Sequence, residues 1–153
     1  MNQIAKLLPP ANVLLDLDVG SKKRVFEHTG LLFENNHNLG RSLVFDSLFA
    51  REKLGSTGLG QGVAIPHGRI KGMKDAVGAL VRLREPIPFD APDGAPVGLI
   101  FVLLVPERAT DLHLQILGEL AQMFSDPAFR ERLQAAPTAA DAHRLVTEWK
   151  ADA

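Results

Sequence analysis

The sequence predicts an α/β fold, a single-domain sandwich in which a central mixed β-sheet has helices on both sides. Residues 97–105 are apolar almost throughout, which is typical of a central strand covered on both faces. Two amphipathic helical patterns come before the strands and three follow them, so helices are available for both faces. Because strands and helices do not alternate regularly, a pure Rossmann fold is disfavoured. A chain of 153 residues suits one core, and we expect one domain over residues 1–153.

The first third of the chain predicts a strand and two helices. Residues 13–19, VLLDLDV, alternate enough for a half-buried strand. Ser21 suits the N-cap of a helix that runs to about His37, and Gly30 weakens that helix locally. A second helix is expected over residues 39–53, ending where a glycine-rich loop begins at Gly55. Its predicted buried residues are Leu43, Val44, Leu48 and Phe49.

The middle of the chain predicts the main strands. A short strand at residues 63–65 ends at Pro66. In residues 76–84, Arg82 and Arg84 face one side of the sheet. The opposite side receives Val77, Ala79, Val81 and Leu83. Residues 85–96 contain four prolines and a Pro-Asp-Gly turn, so we predict a surface connection before the central strand.

Three helices are predicted in the last third. Thr110 or Asp111 caps the first of them. Asp126 followed by proline begins a short second helix. Thr138 and Asp141 form a variant of the capping box at the start of the third. The expected buried residues of the first helix are Leu114, Leu117, Ala121 and Phe124. Those of the third are Leu145, Val146 and Trp149.

Composition excludes several classes of protein and site. The formal net charge of −1 disfavours a nucleic-acid binder, which usually has a basic face. The absence of cysteine excludes a disulfide, a thiol nucleophile and a thiolate metal site. The longest apolar run, residues 99–106, is too short to span a bilayer. The N-terminus is unlike a signal peptide. We therefore expect a cytoplasmic protein without membrane insertion and without a cofactor.

The glycine-rich loop fits none of the common nucleotide-binding patterns. Four of the eight residues 55–62 are glycine. A P-loop requires lysine where the chain has Gln61, and the third glycine of a dinucleotide fingerprint would fall on Val63. What remains is a loop leading to Pro66-His67-Gly68. There Pro66 fixes the approach, Gly68 removes side-chain bulk, and little shields the imidazole. For an isolated histidine a packed or solvated ring is the usual explanation, but these flanking residues favour a nucleophile.

The remaining polar residues form no second site. His28, His37 and His143 have polar or helical surroundings and are expected to face solvent. A metal site built on His67 and His113 would need a third ligand, and the spacing of the chain supplies none.

Residues 51–69, REKLGSTGLGQGVAIPHGR, resemble the active-site signature of phosphotransferase-system IIA proteins of the fructose, mannitol and nitrogen-regulatory type. The resemblance extends over nearly the whole chain. It includes SKKR at residues 21–24, EPIPFDAPDGAPV at 85–97, FVLLVP at 101–106 and the dipeptide His113-Leu114. The opening segment, LLPPANVLLDLDVGSKKR, is most similar to the nitrogen-regulatory branch.

The resemblance implies three site residues. His67 matches the histidine that accepts a phosphoryl group on Nε2 from a histidine-phosphorylated carrier protein. His113 matches the second active-site histidine, which we expect to donate a hydrogen bond to the phosphoryl oxygens. Arg51 matches the arginine ahead of the glycine loop, whose planar fork suits phosphate. Without the resemblance, Arg51 is better explained as a solvated cation at a helix end, and helix capping is an equal alternative for His113.

Three neighbouring residues are less specific. The hydroxyl groups of Ser56 and Thr57 suit a phosphoryl group, but turn formation explains them better. Arg69 either attracts the acidic or phosphorylated surface of a donor or faces water.

The resemblance predicts a phosphotransferase component, a phosphoryl carrier of the nitrogen-related system that regulates partners by its phosphorylation state. The expected partners are an HPr-like phosphocarrier and, by family analogy, potassium transporters or sensor kinases. Two alternatives stay open. One is a sugar-specific IIA component that passes phosphate to a IIB domain. The other is a regulatory module that binds partners without phosphotransfer.

Overall fold

A mixed six-stranded β-sheet forms the centre of the molecule, with helices packed on both of its faces. The computed structural model describes residues 2–108 and 111–151. This architecture confirms the predicted fold class.

The strands are β1 (Val13–Leu17), β2 (Gly58–Gly60), β3 (Val63–Ala64), β4 (His67–Ile70), β5 (Val77–Ile87) and β6 (Val97–Pro106). Their order across the sheet is β1-β5-β6-β3-β2, and β4 also pairs with β6. The pairs β1–β5, β3–β6 and β4–β6 are parallel, whereas β5–β6 and β2–β3 are antiparallel. The predicted central strand is therefore β6, with neighbours on both sides.

The helices are α1 (Lys22–His37), α2 (Arg41–Lys53), α3 (Asp111–Phe124), α4 (Pro127–Ala135) and α5 (Ala139–Glu148). Helices α1 and α2 pack on one face of the sheet, and α3, α4 and α5 pack on the other. Successive residues of β6 enter the two cores alternately, because side chains of a strand point to opposite faces. Burial on both faces explains why this strand is apolar throughout.

Side-chain caps fix the predicted helix starts. Ser21 Oγ accepts a hydrogen bond from the Arg24 N–H at 3.2 Å, and Asp126 Oδ1 accepts one from the Ala128 N–H at 3.0 Å. Thr138 Oγ1 accepts from the Asp141 N–H at 3.1 Å. These caps confirm the predicted N-termini of α1, α4 and α5. Thr110, the alternative cap proposed for α3, lies outside the described residues.

The residues predicted to be buried in α2 and α3 were wrong in part. Leu114 is 62% exposed and Leu43 is 48% exposed. Apolar residues occupy more than one face of α3, so periodicity alone does not decide which face meets the sheet. Phe124 is buried as predicted. The other buried residues of α3 are His113, Ile116, Leu120 and Met123.

The predicted surface connection over residues 85–96 was also wrong in part. Strand β5 continues to Ile87, and Ile87, Phe89 and Ala91 are buried in the core on the α1–α2 face. The alternating residues Pro88 and Pro92 are exposed. One side of the segment is therefore packed against the core, and its prolines face outward.

Strand β4 was not predicted, and it places the histidine of the glycine-loop motif. Strands β3 and β4 pair with β6 in one register, from Val63 opposite Leu99 to His67 opposite Leu103. Between them, the carbonyl of Pro66 accepts a hydrogen bond from the Leu103 N–H at 2.9 Å. Pro66 interrupts the hydrogen-bond ladder because proline has no backbone N–H to donate. The chain nevertheless continues in the same direction beside β6.

Candidate functional site

His67 lies at the start of β4, and a backbone carbonyl fixes its ring. Its side chain is half-buried, and Nδ1 lies 2.9 Å from the carbonyl oxygen of Ile65. Because a carbonyl oxygen only accepts hydrogen bonds, Nδ1 carries the proton and Nε2 carries the lone pair. The imidazole is therefore held in one tautomer, with Nε2 as the available nucleophile.

The surroundings of His67 favour its neutral form. Burial lowers the pKa of His67 from its ordinary value, and electrostatic interactions with Arg51 and His113 lower it further. The hydrogen bond to Ile65 and the negative charge of Glu52 act in the opposite direction. The sequence predicted an unshielded ring. It is instead half-buried, and this burial keeps the ring neutral and nucleophilic.

Arg51 lies in the last turn of α2 and reaches into the glycine loop. Its Nη1 donates a hydrogen bond to the carbonyl oxygen of Gly55 at 2.9 Å. A cation at this end of a helix is favoured by the helix dipole. The half-buried guanidinium is therefore attached to the loop that precedes His67, and its charge acts on that ring.

His113 approaches from the other face of the sheet. It lies in the first turn of α3 and is 9% exposed. Its Nδ1 is buried without a hydrogen-bond partner among the described residues. The three residues singled out by the motif thus come from α2, β4 and α3, and the charges of the other two act on His67.

The hydroxyl groups of the glycine loop make internal hydrogen bonds. Ser56 Oγ donates to the carbonyl oxygen of Phe89 at 2.7 Å and accepts from the Gly58 N–H at 3.1 Å. Thr57 is buried, and its Oγ1 donates to Glu52. Arg69 is exposed, and its Nη1 donates a long hydrogen bond of 3.4 Å to the carbonyl oxygen of Glu107.

Glu52 is a site residue that sequence reasoning missed. Its carboxylate is buried, lies 2.9 Å from Lys22 Nζ and accepts the Thr57 N–H at 3.0 Å. Its position in the sequence was the one sign of such a role. A carboxylate in the last turn of a helix interacts unfavourably with the helix dipole. Such a residue needs a partner outside its own helix.

Gly68 is required by packing. A Cβ atom at this position would clash with the side chain of Ser47 on α2. The Ser47 hydroxyl donates to the carbonyl oxygen of Arg69 at 3.0 Å, so it cannot move away freely. The sequence attributed this glycine to access around the imidazole. The structure attributes it to the close contact of α2 with β4.

Two of the other histidines are not solvent-facing as predicted. His28 is exposed, which confirms that prediction. His37 Nε2 accepts a hydrogen bond from Asn12 Nδ2 at 2.8 Å, and His143 Nε2 donates to the carbonyl oxygen of Leu8 at 2.8 Å. The N-terminal segment covers both residues, which the pattern of a single helix does not show.

The described residues contain neither a metal-binding cluster nor a helix suited to a membrane. Within residues 2–108 and 111–151, no three potential ligands among histidine, aspartate and glutamate are grouped to hold a metal ion. Over the same part of the chain, no helix combines the length and apolar character needed to cross a membrane.

The family model described as phosphoenolpyruvate-dependent sugar phosphotransferase system, EIIA 2, matches residues 6–149. The chain belongs to this EIIA 2 family. Among its EIIA 2 relatives, the nitrogen regulatory protein of Pseudomonas aeruginosa is 44% identical over 149 residues, covering 97% of each chain. The nitrogen regulatory protein of Escherichia coli is 41% identical over 129 residues, covering 84% of this chain and 79% of that protein.

Solved structures of EIIA 2 proteins agree with this result. The nitrogen regulatory protein IIA-Ntr of Neisseria meningitidis superimposes with a TM-score of 0.90 at 55% identity, covering 95% of this chain and 99% of that chain. IIA mannitol of Escherichia coli superimposes with a TM-score of 0.75 at 19% identity, covering 90% and 97%, which shows the shared fold alone. The predicted resemblance, including its nitrogen-regulatory character, is confirmed.

Proposed function

We propose that this EIIA 2 protein is a phosphoryl carrier of the nitrogen-related phosphotransferase system. A histidine-phosphorylated, HPr-like phosphocarrier donates the phosphoryl group to Nε2 of His67. The observation that carries the proposal is the hydrogen bond between His67 Nδ1 and the Ile65 carbonyl oxygen. It leaves Nε2 unprotonated, and the nearby charge of Arg51 and the unpartnered imidazole Nδ1 of His113 suit an anionic group at that atom.

The transfer is a single displacement at phosphorus. The Nε2 lone pair of His67 forms the new N–P bond while the N–P bond of the donor phosphohistidine breaks, and its electron pair returns to the donor ring. The Nδ1 proton stays in place, and the Ile65 carbonyl stabilises the positive charge that develops on the ring. The transition state is loose, with charge on three phosphoryl oxygens, so Arg51 and His113 act by electrostatic stabilisation.

Phosphorylation changes the charge of the surface that a partner meets. The added group brings roughly −1.5 to −2 charges, enough to outweigh the single positive charge of Arg51. The nitrogen regulatory relatives support a regulatory role for this change. Because phosphoenolpyruvate is a cytoplasmic metabolite, we place the relay in the cytoplasm.

The direct test is phosphorylation of the full chain by phosphoenolpyruvate, enzyme I and a phosphocarrier. We expect an acid-labile, base-stable adduct on His67. Replacement His67→Ala should abolish it, and His113→Ala should slow it while the protein stays folded. The exposed histidine gives the matched control, since His28→Ala should leave the rate unchanged.

The same assay separates the alternatives. Labelling that persists in His67→Ala contradicts the assignment of the phosphoryl acceptor. Rapid onward transfer to a IIB protein would indicate a sugar-specific component. Partner binding without any labelling would indicate a regulatory module that works without phosphotransfer.

A further inference from the structure

A continuous series of hydrogen bonds connects α1 to the imidazole of His67. Lys22 Nζ lies 2.9 Å from Glu52 Oε2, which also accepts the Thr57 N–H at 3.0 Å. The Thr57 carbonyl oxygen accepts the Ile65 N–H at 3.0 Å. The Ile65 carbonyl oxygen binds His67 Nδ1 at 2.9 Å. The Ile65 carbonyl, which fixes the His67 tautomer, thus belongs to a residue that is bonded to Thr57. Thr57 is in turn held by Glu52.

Glu52 is the only carboxylate in this series and is well enclosed. Its side chain is 5% exposed. Both of its oxygens are used, because Oε1 accepts from Thr57 Oγ1 while Oε2 binds Lys22 and the Thr57 N–H. A buried carboxylate is tolerated only when it is paired and hydrogen-bonded. These partners therefore fix the carboxylate and the loop backbone relative to each other.

Lys22 also contacts the segment between β5 and β6. Its Nζ lies 3.4 Å from Asp90 Oδ2 and 4.7 Å from the centre of the Phe89 ring. The Phe89 carbonyl oxygen accepts the hydroxyl of Ser56. The segment before β6 therefore contacts both Lys22 and the same turn of the loop that Glu52 holds.

We propose that Glu52 is a positioning residue for phosphoryl transfer. Acting through Thr57 and the Ile65 peptide, it holds the carbonyl that keeps the proton on Nδ1 of His67 and leaves Nε2 free to attack. The inference rests on the proposed function, in which Nε2 is the phosphoryl acceptor. Glu52 does not touch the reacting atoms, so its effect is on the orientation and tautomer of the ring.

The charge of Glu52 has a second effect on the same ring. It raises the pKa of His67 against the lowering caused by burial, Arg51 and His113. Removing the charge therefore makes Nε2 less basic and withdraws stabilisation from the cationic ring that forms during transfer. Geometry and charge act in the same direction, toward faster transfer.

The test is Glu52→Gln in the full chain, which keeps the shape of the side chain but removes its charge. The ¹H–¹⁵N spectrum of the imidazole groups, recorded well above the pKa of His67, reports the tautomer. We expect the Nδ1-protonated form in the unmodified protein and a mixture of both forms in the variant. The phosphorylation rate should fall roughly tenfold to a hundredfold, the usual loss when a supporting hydrogen bond is removed.

Two controls separate positioning from general loosening of the structure. The signals of His28, which is exposed, should not change in Glu52→Gln. Glu34→Gln removes a different carboxylate, which pairs with Arg41 at 2.8 Å, and should leave both tautomer and rate unchanged.

A second pair of variants covers the case in which Glu52→Gln does not fold. Thr57→Val removes only the hydroxyl bond to Glu52 and should give a smaller shift in the same direction, whereas Thr57→Ser should restore the unmodified behaviour. The inference is overturned if the unmodified His67 carries its proton on Nε2. It is also overturned if the folded Glu52→Gln protein, or Thr57→Val in its place, keeps the original tautomer and rate.

The tautomer is read on the unphosphorylated protein, so this inference and the proposed function fail separately. An unmodified protein that resists labelling, with the tautomer shift intact, contradicts the function alone. Normal labelling with no shift in any folded variant contradicts the positioning role alone.

Discussion

At the residue scale, a backbone carbonyl selects which nitrogen of His67 is available for chemistry. The Ile65 carbonyl oxygen binds Nδ1, and the half-buried ring favours the uncharged form. Arg51 adds positive charge near the same ring, and interactions with Arg51 and His113 both lower the pKa of His67. This arrangement fits the proposed attack by a neutral nucleophile on an anionic phosphoryl group, in which the cation of Arg51 stabilises the oxygens.

The pKa of His67 gives a prediction for the pH dependence of phosphorylation. That pKa is lowered from 6.5 by burial, then by Arg51 and His113. Protonation removes the Nε2 lone pair, so the single-turnover rate should be level near pH 7 and fall as the pH drops, with the acid limb centred below 6.5. Rates measured with pre-phosphorylated phosphocarrier at a series of pH values provide the check.

Arg51→Ala is the informative variant in that experiment. Loss of the cation removes one cause of the lowered pKa, so the acid limb should move to higher pH while the plateau rate falls. The electrostatic account of the site is contradicted if the acid limb of the rate profile is centred above the pKa of free histidine. It is also contradicted if Arg51→Ala moves this limb to lower pH.

Sequence reasoning proposed His67, Arg51 and His113 because they match positions in the family resemblance. It missed Glu52, although Glu52 is next to Arg51, because its role depends on partners elsewhere in the chain. Lys22 comes from the start of α1, and Thr57 comes from the loop after α2. The residue types in a motif predict chemistry, whereas the support of that chemistry depends on which distant residues meet.

At the scale of elements, close approaches between neighbours explain features that looked like local weaknesses. Gly30 was predicted to weaken α1, yet the helix is continuous from Lys22–His37. A Cβ atom at Gly30 would lie 3.0 Å from the carbonyl oxygen of Arg41, at the start of α2. The glycine therefore permits the contact between α1 and α2 that covers one face of the sheet.

A pair of helical glycines tests this explanation. Gly118→Ala on α3 places a methyl group where nothing lies within 4 Å, so it should raise the free energy of unfolding by about 0.5–1 kcal/mol. Gly30→Ala gains the same helix propensity but displaces the backbone of α2, and it should lower that free energy by about 1 kcal/mol or more. Urea denaturation of both variants measures the difference. Equal stabilisation by the two substitutions contradicts the packing role of Gly30.

The elements that the sequence predicted well are those with strong local patterns. Strand β6 is apolar throughout, and the starts of α1, α4 and α5 have capping residues. Strands β2 and β4 were missed because short segments rich in glycine carry little propensity, and their pairing depends on residues far along the chain. The face of α3 was wrong because apolar residues surround most of that helix.

At the scale of the whole molecule, Arg82 connects the sheet to the layer of helices on the α3–α5 side. Its Nη1 donates to the carbonyl oxygens of Leu133 and Ala136, at the end of α4, at 3.0 and 2.7 Å. Its Nη2 lies 3.2 Å from Oδ1 of Asp16, a residue of β1. The sequence placed Arg82 and Arg84 on the same side of β5. The side chain of Arg82 is covered and only 9% exposed, whereas that of Arg84 is 69% exposed.

Replacing these two arginines should therefore have very different effects. Arg82→Ala leaves buried carbonyl groups without donors and should lower the free energy of unfolding by about 2–4 kcal/mol. Arg84→Ala removes an exposed contact with Asp18 and should change it by less than about 0.5 kcal/mol. Denaturant unfolding monitored by the fluorescence of Trp149 compares the two. Similar losses for both variants contradict the role assigned to Arg82.

The whole fold brings α2, β4 and α3 to one site, and the central claim is that this site exposes Nε2 of His67 to a phosphoryl donor. The most direct test is phosphorus and nitrogen NMR of the phosphorylated protein labelled with ¹⁵N-histidine. The account predicts a phosphorus–nitrogen coupling to Nε2 of His67 and an Nδ1 that remains protonated. A phosphoryl group on Nδ1, on another residue, or on none would contradict it.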